Sequence, residues 1–297
     1  MPNPAPSPVS VPASRPRPGR RTGRPRAGWV AAAALGLAAL AGTLPAHARN
    51  GSIEVDVELV LAVDISYSMD PEEQALQRQG YVEALNSPLV LDAIKKGLNG
   101  KIAVTYVEWA GTSSQDVVVD WQIIDSAESA RAFTDTLQNR APRRLYRTSI
   151  SGALDFAVPL FEKNDFRGIK RVIDVSGDGS NNQGRPVTEA RDDALAQGIT
   201  INGLPIMLNR PNMGYPDVEP LDAYYSQCVI GGPAAFVVPV RERGQFIDAV
   251  KTKILLEVAL TPPPDWPARV IPAQVETPRV SCMFGEKMWQ QRWGNGN

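Results

Sequence analysis

Histidine is almost missing from these 297 residues: the only one is His47. It falls in an N-terminal segment, residues 1–48, that has the pattern of a removable export signal, so the rest of the chain has none. That rules out Ser-His-Asp and Cys-His catalysis, His-ligated zinc, and an imidazole proton shuttle working between about pH 5 and 8. Cysteine is scarce too, with only Cys228 and Cys282. Two thiols cannot make a four-cysteine zinc site. In an oxidising compartment an even count suits one disulfide; two buried free thiols are the alternative. The apolar run Trp29–Leu44 has 16 residues, short of the roughly 20 that a membrane-spanning helix needs.

What stands at the N-terminus explains that run. Residues 1–28 are rich in Pro and Arg, carry six arginines and have no acidic residue. The apolar run follows, and then Ala46-His47-Ala48. A basic start, an apolar stretch and a small-x-small ending make a secretory signal, with an uncleaved anchor as the alternative. The expected organisation is therefore a signal over 1–48, a folded domain over 49–260 and a Pro- and Trp-containing extension over 261–297. The expected location is the periplasm or the exterior. Removing residues 1–48 turns 31 basic against 32 acidic residues into 25 against 32, a net charge of −7. An acidic domain without a basic run suits neither a phosphate backbone nor anionic lipid.

From Ile53 onward, short apolar runs alternate with helical patterns, the order of a parallel sheet covered on both faces. Val57–Val63 is continuously apolar, as a strand buried on both faces reads. Asp70-Pro71-Glu72-Glu73 has the cap, the proline and the acidic first turn of a helix start. Further strands are predicted at 101–109, 117–124 (an antiparallel hairpin edge), 170–175, 200–207 and 236–240. Helices are predicted at 126–139, 148–161, 186–197 and 244–260. The expected fold is α/β: a doubly wound, mostly parallel six-stranded sheet flanked by helices.

Three pieces sit where a strand or loop feeds a helix: Asp64-Ile65-Ser66-Tyr67-Ser68 after the first strand, Thr148 at a helix start, and Asp178 after the 170–175 strand. In open α/β sheets, ligands bind beyond the carboxyl ends of the strands, where distant segments meet. Asp64, Ser66 and Ser68 alternate along their loop and can turn three oxygens to one side. Thr148 adds a hydroxyl and Asp178 a second carboxylate. Oxygen donors of this kind suit Mg²⁺ or Mn²⁺. If the aspartates act through water, the ion gains from a further anionic oxygen, such as a partner's Asp or Glu.

These residues resemble the metal-ion-dependent adhesion site of von Willebrand factor A domains. Asp-x-Ser-x-Ser is matched in full by Asp64, Ser66 and Ser68, the threonine-led helix start by Thr148, and the Asp-Gly pair by Asp178-Gly179. The likeness extends in element order from about Val57 to Leu260 and points to a bacterial exported subgroup. It implies direct ligation by Ser66, Ser68 and Thr148, with Asp64 and Asp178 acting through water. It further implies a protein partner that offers a carboxylate, and no catalysis. The chain departs from the pattern at Ser176-Gly177, where the family commonly has Thr or Ser directly before the aspartate.

The competing reading is a magnesium-dependent phosphatase of the haloacid dehalogenase type, because Gly177-Asp178-Gly179-Ser180-Asn181-Asn182 resembles its metal loop. Asp64 would be the nucleophile, with Thr148 and Lys170 on the phosphate. The acid/base aspartate two residues further on is missing, and Ser66 cannot transfer the proton in its place. Tyr67 projects from the loop as a ligand contact or a packed aromatic. Arg140, Arg143, Arg144 and Arg147 precede Thr148 as solvated charge or as a lure for an acidic partner. Trp109 reads as core or as part of the same rim, and Trp266, Trp289 and Trp293 either dock on the domain or face a partner.

Overall fold

The computed structural model describes residues 51–208, 220–259, 270–272 and 280–293. Residues 1–48, for which an export signal is expected, and Trp266 lie outside the described residues. Strand β1 (Ile53–Asp64) is buried from Val55 to its end, as its unbroken apolar run requires. Helices α1 (Pro71–Leu85) and α2 (Pro88–Lys95) lead to β2 (Ile102–Trp109) and β3 (Gln115–Ile124). Then follow α3 (Ala127–Gln138), α4 (Ile150–Ala157), β4 (Phe166–Gly177), α5 (Val187–Ala196) and β5 (Thr200–Pro205). A short helix α6 (Leu221–Tyr224) runs into a widened turn at Tyr225–Val229, before β6 (Phe236–Val237) and α7 (Phe246–Val258). The tail adds β7 (Ile271–Pro272) and α8 (Phe284–Trp293).

The strands order as β3-β2-β1-β4-β5-β6-β7. β2, β1, β4, β5 and β6 run parallel, while β3 and β7 join antiparallel at the two edges. All six expected strands are there, and the fold is the layered α/β arrangement that the sequence implies. The seventh strand comes from the tail and has only two residues, too short to leave a periodic signal. β6 is shorter than the expected 236–240, although Val240 still bridges to Ile206. α2, α6 and α8 have no counterpart in the sequence expectation.

Alternation along β1 divides the core in two. Leu59, Leu61 and Val63 pack with Tyr81 of α1, Ile94 of α2, Phe133 of α3 and Ile254 of α7. Val60 and Ala62 face Leu154 of α4, Ala194 of α5 and Tyr225 on the other side. Each face removes its apolar side chains from water at about 25 cal/mol per Å², which drives the doubly wound layering. α1 begins as its sequence indicates: Asp70 accepts from the Glu73 amide at 2.7 Å and Glu73 reaches back to the Asp70 amide at 2.8 Å. This capping box fixes where the loop after β1 ends.

One buried charge cluster crosses the first core layer. Lys253 of α7 lies 2.5 Å from both Asp174 of β4 and Glu257, and all three side chains are fully buried. Burial, then the Asp174 charge, pushes Glu257 up to about 7.

Candidate functional site

Strand order reverses between β1 and β4, and there the register sets Val63 opposite Ser176. Two adjacent parallel strands thus release their loops at the same height, the crevice where open α/β sheets bind ligands. Asp64 ends β1 and is fully buried. Its Oδ1 accepts from the Ser66 amide at 2.7 Å, and the Asp178 amide also donates to this carboxylate. Its Oδ2 is buried without a hydrogen-bond partner among the described residues. Burial, and after it the Asp178 charge, pushes the Asp64 carboxyl well above the ordinary carboxylate value.

The two serines sit above it. Ser66 Oγ is 2.7 Å from Ser68 Oγ, and Ser68 Oγ donates to Asp178 Oδ1 at 2.6 Å. Ser66, Ser68 and Asp178 therefore form one hydrogen-bonded chain, joined to Asp64 through backbone amides. Thr148 is nearly buried and flanks the Asp178 loop, its Oγ1 3.6 Å from where a Cβ on Gly179 would stand. It precedes the helix rather than capping it: Ser149 is the cap and accepts from the Gly152 amide at 3.1 Å.

Gly177 explains the departure from the adhesion-site pattern. A Cβ there would stand 2.8 Å from Asp64 Oδ2 and 3.0 Å from the Tyr225 hydroxyl. Tyr225 is fully buried, its hydroxyl has no hydrogen-bond partner among the described residues, and burial with the Asp64 and Asp178 charges raises its pKa well above the usual tyrosine value. A side chain at 177 would force Asp64 or this tyrosine to shift.

Sequence reasoning missed several positioning groups. Asn182 clamps Thr148: its Oδ1 accepts from the Thr148 amide at 3.1 Å and its own amide donates to Thr148 O at 2.9 Å. Asn181 turns inward, accepting from the Ser151 amide at 3.0 Å and donating to Glu286 of α8 at 2.8 Å. In sequence both read as polar loop or as part of a phosphatase-like metal loop, and only the fold gives them these partners. The basic loop is pinned beside the site, with Leu145 bridging to Ser66. Arg143 pairs with Glu108 and Asp116, Arg144 lies over the Tyr67 ring at 4.8 Å, and Arg147 lies 3.2 Å from the Trp289 ring centre. Trp109 is fully buried in the core. Cys228 and Cys282 form a disulfide.

Lys170 does not join the site. It pairs with Val57, and its Nζ donates to Ala259 O at 3.1 Å. Seven residues of strand separate Val57 from Asp64, about 23 Å at the usual rise. The phosphate contact expected of Lys170 is thus not formed, because the residue belongs to the opposite end of the sheet.

Among the described residues no cluster of three or more His, Cys, Asp or Glu side chains gathers. The donors at the switch point are two carboxylates and three hydroxyls. Residues 54–262 match the model of a family described as a protein of unknown function, DUF1194. The chain belongs to that family. No curated protein matches it. Among solved structures it is similar to proximal thread matrix protein 1 from the mussel byssus, at 15% identity over 69% of this chain and 49% of that one, with a TM-score of 0.49. Another structure of that mussel protein has a zinc-occupied MIDAS motif. It is also similar to a von Willebrand factor type A protein from Catenulispora acidiphila, at 13% identity over 69% and 43% with a TM-score of 0.49. A third likeness is to the pilus adhesin SpaC from Lactobacillus rhamnosus GG, at 14% identity over 69% and 30% with a TM-score of 0.48. The chain spans about half the length of the mussel protein and less of the other two. Likeness this distant carries no argument about function. Among the described residues no helix is long and apolar enough to cross a membrane.

Proposed function

We propose that the chain is an exported, divalent-cation-dependent protein-binding domain that does no chemistry on its partner. Ser66, Ser68 and Thr148 would hold Mg²⁺ or Mn²⁺ directly, with Asp64 and Asp178 acting through water. The partner would supply an Asp or Glu carboxylate. The observation that carries this reading is the convergence of three hydroxyls and two carboxylates from three distant loops. All are oxygen donors, the set a hard cation prefers. The donors also fit a cation on energetic grounds. Asp64 is a buried carboxylate with one orphaned oxygen and a second carboxylate nearby. Such a charge costs several kcal/mol unless it is offset, and a bound dication offsets it. The basic, apolar, small-x-small pattern of residues 1–48 supports export. A phosphatase is not favoured, since Asp64 is buried beneath the serines and Lys170 is at the far end of the sheet.

Thermal melting tests the metal. At a cation concentration about 100 times Kd the folded state gains about 2.7 kcal/mol, which for a domain of this size raises Tm by roughly 5–11 °C. EDTA and Ser66→Ala/Ser68→Ala should both remove the rise, and no generic phosphomonoester should turn over. A Tm indifferent to Mg²⁺ and Mn²⁺ would refute the metal, and Mg²⁺-dependent turnover lost in Asp64→Asn would refute the absence of chemistry.

A further inference from the structure

Ser66, Ser68 and Thr148 line a recess together with residues of the tail. They form part of the floor of a groove of 640 Å³ whose other wall is α8, from the tail. Three contacts fix this wall. The Cys228–Cys282 disulfide ties its approach to the domain. Glu286 accepts from Asn181, and Trp289 lies against the Arg147 guanidinium. Gly285 lets the helix come close, because a Cβ there would overlap Asn181 O. Arg147 holds a left-handed backbone, φ 77°, which is costly for a residue with a side chain and persists only where the surroundings enforce it.

The groove's chemistry is lopsided. Among the described residues, Arg147 is the one charged side chain that lines it, and it is cationic. The apolar surface comes from Tyr67, Tyr146, Phe284, Met288 and Trp289. Tyr67 and Tyr146 stack at 4.4 Å and stand 47% and 73% exposed at the rim. Exposed, preorganised aromatic pairs mark protein interfaces, where rigid rings give contact area at little entropic cost.

Resting on the cation reading above, we infer that the groove takes a segment of a partner protein in which the metal-bound carboxylate is directly flanked by an aromatic or large aliphatic side chain. The carboxylate goes to the Ser66–Ser68–Thr148 floor. The flanking side chain goes between the tyrosine pair and α8. Charge complementarity selects the acidic segment, because a cationic rim and a dication repel a basic one. The open side at Tyr146 gives the rest of the partner chain a way out of the groove.

Isothermal titration of the disulfide-bonded full chain tests this with three blocked pentapeptides in saturating Mg²⁺: Ala-Ala-Asp-Phe-Ala, Ala-Ala-Asp-Ala-Ala and Ala-Ala-Asn-Phe-Ala. The Asp-Phe peptide should bind about tenfold tighter than the Asp-Ala peptide. The Asn-Phe peptide and the EDTA arm should show no binding. Tyr146→Ala, at an exposed position, should bring the two Asp peptides within about threefold of each other. Trp289→Ala should do the same, with circular dichroism reporting whether α8 persists. Mg²⁺ stabilisation with no preference between the Asp peptides, or with no peptide bound, would overturn this inference and leave the cation site standing. Failure of Mg²⁺ itself to stabilise the chain would overturn both. Phenylacetate binding as tightly as the Asp-Phe peptide would replace the protein partner with a small acid and overturn the assignment.

Discussion

Gly177→Ala puts one methyl group into the most crowded point under the site. Its Cβ would meet Asp64 Oδ2 at 2.8 Å, the Tyr225 hydroxyl at 3.0 Å and Asp64 Cβ at 3.1 Å. Comfortable contact begins near 3.5 Å, so the three are short by about 0.4–0.7 Å. No flexible surface side chain can absorb the difference. Asp64 is held by the amides of Ser66 and Asp178, and Tyr225 is fully buried. Over-packing of this kind costs about 1–3 kcal/mol. Replacing glycine also restricts the unfolded chain, which returns about 0.4–1 kcal/mol, so the loss outweighs the gain. At about 2–4 °C per kcal/mol, Tm should fall by several degrees in differential scanning fluorimetry. Because Asp64 must move, the Mg²⁺-dependent rise should shrink as well. Gly179→Ala is the control two residues on. Its Cβ meets nothing closer than Thr148 Oγ1 at 3.6 Å, so its metal-free Tm should stay within about 2 °C of the wild type. Equal losses from the two substitutions, or none from Gly177→Ala, would refute the crowding account.

Asp64→Asn removes a buried charge, so in EDTA its Tm should equal or exceed the wild-type value while all Mg²⁺-dependent stabilisation disappears; a lower metal-free Tm contradicts this. The Cys228→Ser/Cys282→Ser double variant opens a link spanning 54 residues, worth about 4 kcal/mol by loop entropy. Its urea midpoint should drop accordingly, and an unchanged midpoint would count against the link. Lys253→Met strips the cation from two buried carboxylates and should cost about 3–5 kcal/mol at pH 8. That loss should shrink in acid, as the carboxylates protonate. In the wild type Glu257 titrates at about 7, raised by burial. Its contribution is therefore fully present below its ordinary value of 4.5 and fades as pH rises through about 7. Urea midpoints measured between about pH 5 and 8 check the sign.

The parts of the molecule that were readable from sequence are those set by local or alternating patterns. The unbroken apolar run in β1 announces a strand covered on both faces, and that strand delivers Asp64 to the switch point. Asp70-Pro71-Glu72-Glu73 announces α1, and its capping box is formed. The antiparallel β3 edge follows from hairpin chemistry in the same way. What could not be read depends on partners distant in sequence. Thr148 and Ser149 are adjacent hydroxyls, and only the Gly152 bond tells which one caps. Asn182 looks like loop until the fold brings it to Thr148. α8 has no clean apolar stripe, and its place depends on a covalent bond to Cys228 and on the Arg147 side chain. Gly177 looks like a defect in the motif until Tyr225 supplies the reason.

The two-residue strand from the tail has a bearing on solubility. A parallel sheet that stopped at β6 would offer its outer rim to any passing extended chain, the usual route to strand-by-strand aggregation. Ile271 and Pro272 pair with that rim instead. Proline has no amide hydrogen to offer the next chain, so among the described residues the array ends there.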